Sequence, residues 1–369
     1  MAIPSVSGQE EAIANYCEKH LQDQGFSVRR QPLADGRFNV LAEKSPPGHP
    51  APQSLPAFLL YAHLDTVPPD PAYAINPFKV RYEGQRAYGL GVSDMKGGLA
   101  LILAAVQDVS PEGYRLKIAL GVDEEAFSAG AWTLAHSGWC KDVQLALVPE
   151  LAIDSEAEHL GLARSGALGF QLQCRGPRQH GAVPLTTPTA IAQALKAIQY
   201  LESFPLNGDE RLVVSGINAQ ANGLTHPDYC EVQGTFLLDA SRSSTVVFKA
   251  LQMLLSPLQG VSIFLSPRPT PVAEAYAIRE DHDAVEWLQN LYQTTLGHPL
   301  LLARGWSVAD ENILMQATTG PVLSFAPVGG FSHRAGEWLD CKSLERMLSL
   351  YQNILKEVSP YLAQSTCLY

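Results

Sequence analysis

The sequence predicts an α/β fold: a mostly parallel sheet with helices on both faces, interrupted by an inserted ferredoxin-like β-α-β-β-α-β module. Three observations predict it. Between Ala57 and Asp154, apolar strands alternate with loops and helices, the pattern of parallel sheets. From Leu168 to Leu265 the order becomes strand, helix, strand, strand, helix, strand, the split βαβ arrangement. Beyond the proline-rich "SPRPTP" (Ser266–Pro271), the first pattern returns. One domain is thus expected in two parts, residues 1–165 and 269–369, around an insert at 166–268.

Ser7-x-x-Glu10 predicts a capping box that opens an amphipathic helix with Ile13, Tyr16, Cys17 and Leu21 on one face. Strands follow at Phe26–Arg29, Phe38–Ala42 and Ala57–Ala62, with the Pro-rich Ser45–Pro56 as a loop. In "AYGLGVSDMKGGLALILAAVQDV" a glycine-bearing loop feeds a helix from near Gly97. "RLKIALGVDEEAFSAGAWTLAHSG" repeats the arrangement, with a strand to Val122, an acidic loop and a helix. "VQLALVPELAID" is another buried strand ending in a carboxylate. Within the insert, strands are expected at Leu168–Cys174, Arg211–Ala219, Tyr229–Leu238 and Val261–Leu265, and helices at Pro188–Leu201 and Ser244–Leu255. A helix at Asp283–Leu296, a strand at Val322–Pro327 and an amphipathic helix at Leu344–Val358 complete the chain.

Composition narrows the function classes. The 369 residues are 46% hydrophobic and 17% charged, ordinary for a globular protein. A net charge of −11 with no Lys/Arg run argues against nucleic-acid or anionic-membrane partners. No stretch reaches about 18 uncharged apolar residues, so no membrane span is expected. The first twenty residues lack a basic segment followed by an apolar run, and the six cysteines are scattered without a C-x-x-C pair. Reduced thiols and a cytoplasmic location are expected.

The strand ends carry the chemistry. His63 with Asp65, then Asp94, then Glu124 with Glu125, then Glu150, all stand where strands or their loops finish, and His333 follows a Gly-Gly turn. Each has a local explanation: Asp94 could cap a helix, and Glu124 and Glu125 could favour a helix dipole. Together they fall where one parallel sheet gathers its ligands. The adjacent carboxylates of Glu124 and Glu125 call for a compensating cation. Imidazole and carboxylate donors without thiolate suit Zn²⁺, with Co²⁺ or Mn²⁺ as alternatives. Two histidines and three carboxylates exceed one tetrahedral ion and suit two.

These residues resemble the co-catalytic zinc amidohydrolases and metallopeptidases that include acetylornithine deacetylase, succinyl-diaminopimelate desuccinylase, bacterial glutamate carboxypeptidase and the di- and tripeptidases. The likeness runs from about Ser7 to about Leu355 through ordered motifs. "AHLDTVP" matches H-x-D-T-V-P, which implies His63 as a metal ligand and Asp65 as the group that orients it. "GVSDMKGG" implies Asp94 as the bridging carboxylate; "DEE" implies Glu124 as general base and Glu125 as ligand. Glu150 in "VPE" and His333 in "GGFSHRAGE" complete the implied ligand set, with Glu337 spaced as in H-x-x-x-E. In the insert, "GPRQHGAVP" implies that His180 stabilises the oxyanion across a dimer interface. Arg164 in "ARSGALG" and Asn222 in "ANGLTHP" are implied substrate contacts. The family's D-x-R is stretched here to Asp239 and Arg242 in "LLDASRS", so Arg242 receives no role.

The resemblance implies a zinc-exopeptidase-like fold with two zinc ions, and a homodimer formed through the insert as lid. It implies amide hydrolysis of N-acyl-amino acids or carboxypeptidase-type substrates. Di- or tripeptidase action is the alternative, followed by an inactive metal-binding protein on the same fold. No G-x-S-x-G, H-E-x-x-H or P-loop occurs, which removes the serine-hydrolase, single-zinc protease and nucleotide readings.

Overall fold

The computed structural model describes residues 2–73 and 76–365. It divides into two compact units: Met1–Ala163 with Ala277–Gly305 and Ala309–Tyr369, and Arg164–Tyr276 with Trp306–Val308.

The first unit is built on an eight-stranded sheet. Its strands are β1 (Ser27–Pro32), β2 (Phe38–Lys44), β3 (Ala57–His63), β4 (Arg115–Gly121), β5 (Val143–Val148) and β6 (His159–Gly161). The chain returns to it later with Leu301–Ala303 and Val322–Ser324, numbered β11 and β12 to follow the four strands of the second unit. The spatial order is β1-β2-β4-β3-β5-β12-β6-β11. The central pairs β3–β4, β3–β5 and β5–β12 are parallel, while β1–β2 and β2–β4 are antiparallel. All seven residues of β3 and of β4 are buried, which explains the continuous apolar run Ala57–Ala62 of β3 in place of alternation. Helices α1 (Glu11–Asp23), α2 (Lys96–Ala105) and α3 (Ala129–His136) pack with this sheet.

In the second unit, β7 (Gly166–Arg175), β8 (Arg211–Asn218), β9 (Tyr229–Leu238) and β10 (Val261–Leu265) form an antiparallel sheet ordered β8-β9-β7-β10. Helices α4 (Ala190–Glu202) and α5 (Ser244–Leu255) cover it. Thr189 and Ser243 cap them by accepting the N–H groups of Ala192 and Val246. Phe170, Phe204 and Phe236 meet at ring separations of 5.6 and 5.8 Å in its core, each burial stabilising by roughly 1.5–3 kcal/mol. Arg242, left without a role by the sequence, pairs with Glu210 and donates to the Pro205 carbonyl at 3.2 Å.

After it, α6 (Asp283–Leu296), α7 (Glu311–Ala317) and α8 (Cys341–Ser365) belong to the first unit. The sequence stops α8 at Val358, yet the helix continues through Pro360. The Ser7–Glu10 capping box does not form: α1 begins at Glu11 without a side-chain cap. Tyr16, placed on the buried face by periodicity, is 55% exposed. No disulfide forms among the described residues, and Cys367 lies outside them. Among the described residues no helix is long and apolar enough to cross a membrane.

Candidate active site

β3 ends by delivering His63 directly into the site. Its backbone N–H points at the Met95 sulfur (3.3 Å), its Nδ1 lies 3.1 Å from the Asp65 carbonyl, and its Nε2 lies 3.1 Å from Asp94 Oδ1. With Nδ1 held by a carbonyl acceptor, Nε2 is the nitrogen presented forward. Asp94 sits on the loop ahead of α2, and its second oxygen, Oδ2, lies 3.1 Å from Nε2 of His333. One carboxylate therefore spans two imidazoles. His333 also lies 2.9 Å from Glu125 Oε2.

The Asp94 loop is fastened from behind by Glu337. That buried carboxylate accepts the N–H groups of Gly91 (2.8 Å), Ser93 (2.8 Å) and Asp94 (3.0 Å). Glu337 and His333 lie on one hairpin, between short strands Gly329–Gly330 and Trp338–Asp340. The H-x-x-x-E spacing thus joins a site residue to the group that positions another. Gly98 at the start of α2 leaves no room for a side chain, because a Cβ there would overlap the Pro149 carbonyl next to Glu150.

Asp65 holds the acidic loop. Its Oδ1 accepts the N–H of Glu124 and its Oδ2 the N–H of Glu125, both at 3.1 Å. Oδ2 also accepts the Ser7 hydroxyl at 2.7 Å. Burial acts to raise its carboxyl, but the His63 ring, Ser7 and the Glu125 N–H outweigh it and hold the group below the usual range. Ser7 is a site-supporting residue that sequence reasoning assigned to a helix cap.

The electrostatics are those of an anion cluster. Burial and the nearby Glu150 carboxylate push Glu124 well above the ordinary range. Burial also raises Glu125. Hydrogen bonds from the His333 ring to the Asp94 and Glu125 carboxylates push His333 up to about 10. Glu125 Oε1 is buried with no hydrogen-bond partner among the described residues, the signature of a missing positive partner. Donor atoms of His63, Asp94 and Glu125 lie within 4.8 Å of one another. The all-oxygen-and-imidazole donor set fits a divalent metal.

Among the expected residues, His63, Asp65, Asp94, Glu124, Glu125, Glu150 and His333 all belong to the first unit, and Arg164, His180 and Asn222 to the second. His180 is exposed and bridges to Thr225, and the N–H groups of Gly181 and His226 bond to Leu224 and Gln179 across the same ribbon. Asn222 is exposed at its tip, whereas Arg164 is buried.

The sequence profile of Peptidase family M20/M25/M40 matches residues 59–357. An acetylornithine deacetylase from Klebsiella pneumoniae is 34% identical over 205 residues, 52% of this chain and 50% of that protein. A probable carboxypeptidase from Emericella nidulans is 30% identical over 217 residues, 55% and 49% of the two chains. The matched region thus spans about half the length of these curated relatives. Among solved structures, a tripeptidase from Staphylococcus aureus superposes with a TM-score of 0.77 at 18% identity, covering 97% of this chain and 95% of that one. The profile match, the shared fold and the clustered ligand-type residues agree: the chain belongs to peptidase family M20/M25/M40.

Proposed function

We propose that this protein is a dinuclear metal-dependent hydrolase of amide bonds in N-acyl-amino acids or carboxypeptidase-type substrates. The observation that carries it is Asp94, whose two oxygens reach His63 Nε2 and His333 Nε2 at 3.1 Å each, the shape of a bridging ligand. His63, Asp94, Glu125, Glu150 and His333 would hold two ions, zinc by donor type, with cobalt or manganese as substitutes. Such ions, when bound, polarise the scissile carbonyl and acidify water.

The chain's own residues then manage the proton and the charge. Glu124 accepts the proton of the attacking water and passes it to the leaving nitrogen as the C–N bond breaks, so that amide and water become carboxylate and ammonium. Asp65 holds Glu124 in place through its backbone N–H. His180, exposed on the second unit, donates to the developing oxyanion from a partner subunit of a homodimer. Arg164 and Asn222 are assigned to the substrate's free carboxylate. A cytoplasmic setting suits the free thiols.

A panel tests this: zinc-reconstituted protein with N-acetyl- and N-succinyl-amino acids, N-acylated dipeptides and free dipeptides. Release of amine from N-acylated substrates, abolished by chelator, is expected. Selective cleavage of free dipeptides would move the assignment to a dipeptidase. No hydrolysis of any member would refute it.

A further inference from the structure

At the foot of the acidic loop, the Arg37 guanidinium is held among three carboxylates. The turn between β1 and β2 puts it there. Gly36 takes φ 88°, where side chains are disfavoured, and the Leu33 N–H closes onto the Arg37 carbonyl at 2.8 Å. Asp35 accepts the Arg37 backbone N–H (3.0 Å) and its Nε–H (2.7 Å), which fixes the direction of the fork. Nη1 then donates to Glu10 Oε1 at 3.0 Å and to Asp123 Oδ1 at 2.8 Å. The Glu10 and Asp123 side chains are 1% and 5% exposed, so these are charge-assisted bonds in a largely dry setting rather than screened surface pairs.

Both of these buried carboxylates lead to Glu124. Asp123 precedes it in the chain and has a left-handed backbone, φ 74°, a conformation that persists only where surroundings impose it. The Asp123 carbonyl accepts the N–H groups of Phe127 (3.1 Å) and Ser128 (2.7 Å), and its Oδ2 accepts that of Ala129 (3.2 Å). This one residue therefore closes the loop from Glu124 to Ser128, and Arg37 holds its other oxygen. Glu10 lies three residues after Ser7, whose hydroxyl bonds Asp65, the carboxylate that accepts the Glu124 and Glu125 N–H groups. The segment from Ser7 to Glu10 is itself fixed: the Thr66 carbonyl accepts the Ser7 N–H (3.1 Å), and Glu10 accepts the Gly8 N–H (2.9 Å). Glu124 is thus gripped from two sides, by Asp65 at its own N–H and by Arg37 through Asp123. Two further buried carboxylates next to an anionic site are a poor choice for stability alone.

We infer that Arg37 is a positioning residue for Glu124: by bonding Asp123 and Glu10 together, it fixes the start of the loop that presents the base against the segment that holds Asp65. The inference rests on Glu124 being the base of the proposed hydrolase. It gives Arg37 a part in turnover that acts through Asp123.

Hydrogen exchange and kinetics on zinc-loaded protein test it together. Arg37→Met keeps much of the side chain's length and removes its donors. Amide exchange across residues 122–130 should rise at least about tenfold, with no change in β7–β9 of the second unit. Zinc content should be unchanged, and kcat on the fastest panel substrate should fall about 10–100-fold with KM within about twofold, as expected for a misplaced base. Arg37→Lys keeps the charge but offers one nitrogen in place of a fork, so its loss in kcat should be smaller, about three- to tenfold. Should Arg37→Met not fold, the Lys variant carries the test through the same exchange and kcat readouts. Arg115→Lys is the control. That buried arginine also pairs with two carboxylates, Glu43 and Asp142, but at the opposite end of β4 from the loop. It should lower the urea midpoint while kcat stays within about twofold. Unchanged exchange across 122–130, or a kcat loss in the Arg37 variants no larger than in Arg115→Lys, would overturn the inference. A wild-type protein inactive on the whole panel defeats the proposed reaction instead, while exchange still decides whether Arg37 tethers the loop.

Discussion

Asp65 accepts the backbone N–H of Glu125 at 3.1 Å, and the same carboxylate lies 3.4 Å from Nδ1 of His63, so one side chain stands against one candidate ligand and fixes the backbone of a second. With Ser7 and the Glu124 N–H added, both of its oxygens are committed.

Asp65→Asn therefore replaces one acceptor oxygen by an NH₂ group that must face an N–H or a hydroxyl. Metal affinity should fall about 10–100-fold, the usual effect of losing an orienting partner. Chelator competition measures it, and an unchanged affinity would show that Asp65 does not orient the ligands.

Ser7→Ala removes one hydrogen bond to a buried carboxylate. Unfolding free energy should drop by about 1.5–3 kcal/mol, the range for bonds to charged groups. Urea titration checks it. If Ser7 served only as a helix cap, metal affinity would stay untouched; a drop in both quantities is expected.

Stability of the metal-free protein should decrease as pH rises from about 5 to about 7.5. Burial pushes Glu337 and Asp310 up to about 7, from ordinary values of 4.5 and 3.8. A raised folded-state value means stability that is full below the unfolded value and is lost as pH climbs through the folded one. His333, raised from 6.5 to about 10, has the same sign and begins to lose its contribution above 6.5. Metal binding at the proposed site would displace the His333 proton, so affinity should rise over the same interval. Urea midpoints with and without zinc at both pH values measure this. A zinc-induced gain that is larger at about pH 5 would contradict the assignment.

His180→Ala should lower kcat by about 10²–10³, the cost of one oxyanion donor, with metal content unchanged. Mixing His180→Ala and Glu124→Gln subunits under exchange conditions then tests whether the donor acts in trans. Each mixed dimer would hold one intact site and one with both defects, so activity should partly recover. No recovery despite demonstrated exchange would rule out the partner's contribution.

How far the sequence carried depends on the range of each interaction. His63, Glu124 and Glu150 stand out because buried apolar runs stop just before them, and the parallel pairing of β3 with β4 and β5 sets those ends side by side. The helices of the second unit were equally legible, since Thr189 and Ser243 cap them locally. Ser7 was misread because Ser-x-x-Glu has a local explanation, whereas its partner lies 58 residues away. Glu10 instead accepts the Gly8 N–H and pairs with Arg37. The buried Tyr61–Asp310 pair is hidden for the same reason: an aspartate before a helix reads as a cap, and Tyr61 reads as one more apolar residue in a buried strand.

The most direct measurement is amide hydrolysis by Glu124→Gln, loaded with metal to the same content as wild type. The amide is nearly isosteric with the carboxylate but accepts no proton. Turnover should fall by about 10²–10⁴ or more, the contribution of a positioned acid/base group, while folding and metal content are retained. Wild-type turnover in that variant, or undiminished turnover by wild-type protein stripped of metal, would contradict a metal-dependent hydrolase with Glu124 as its base.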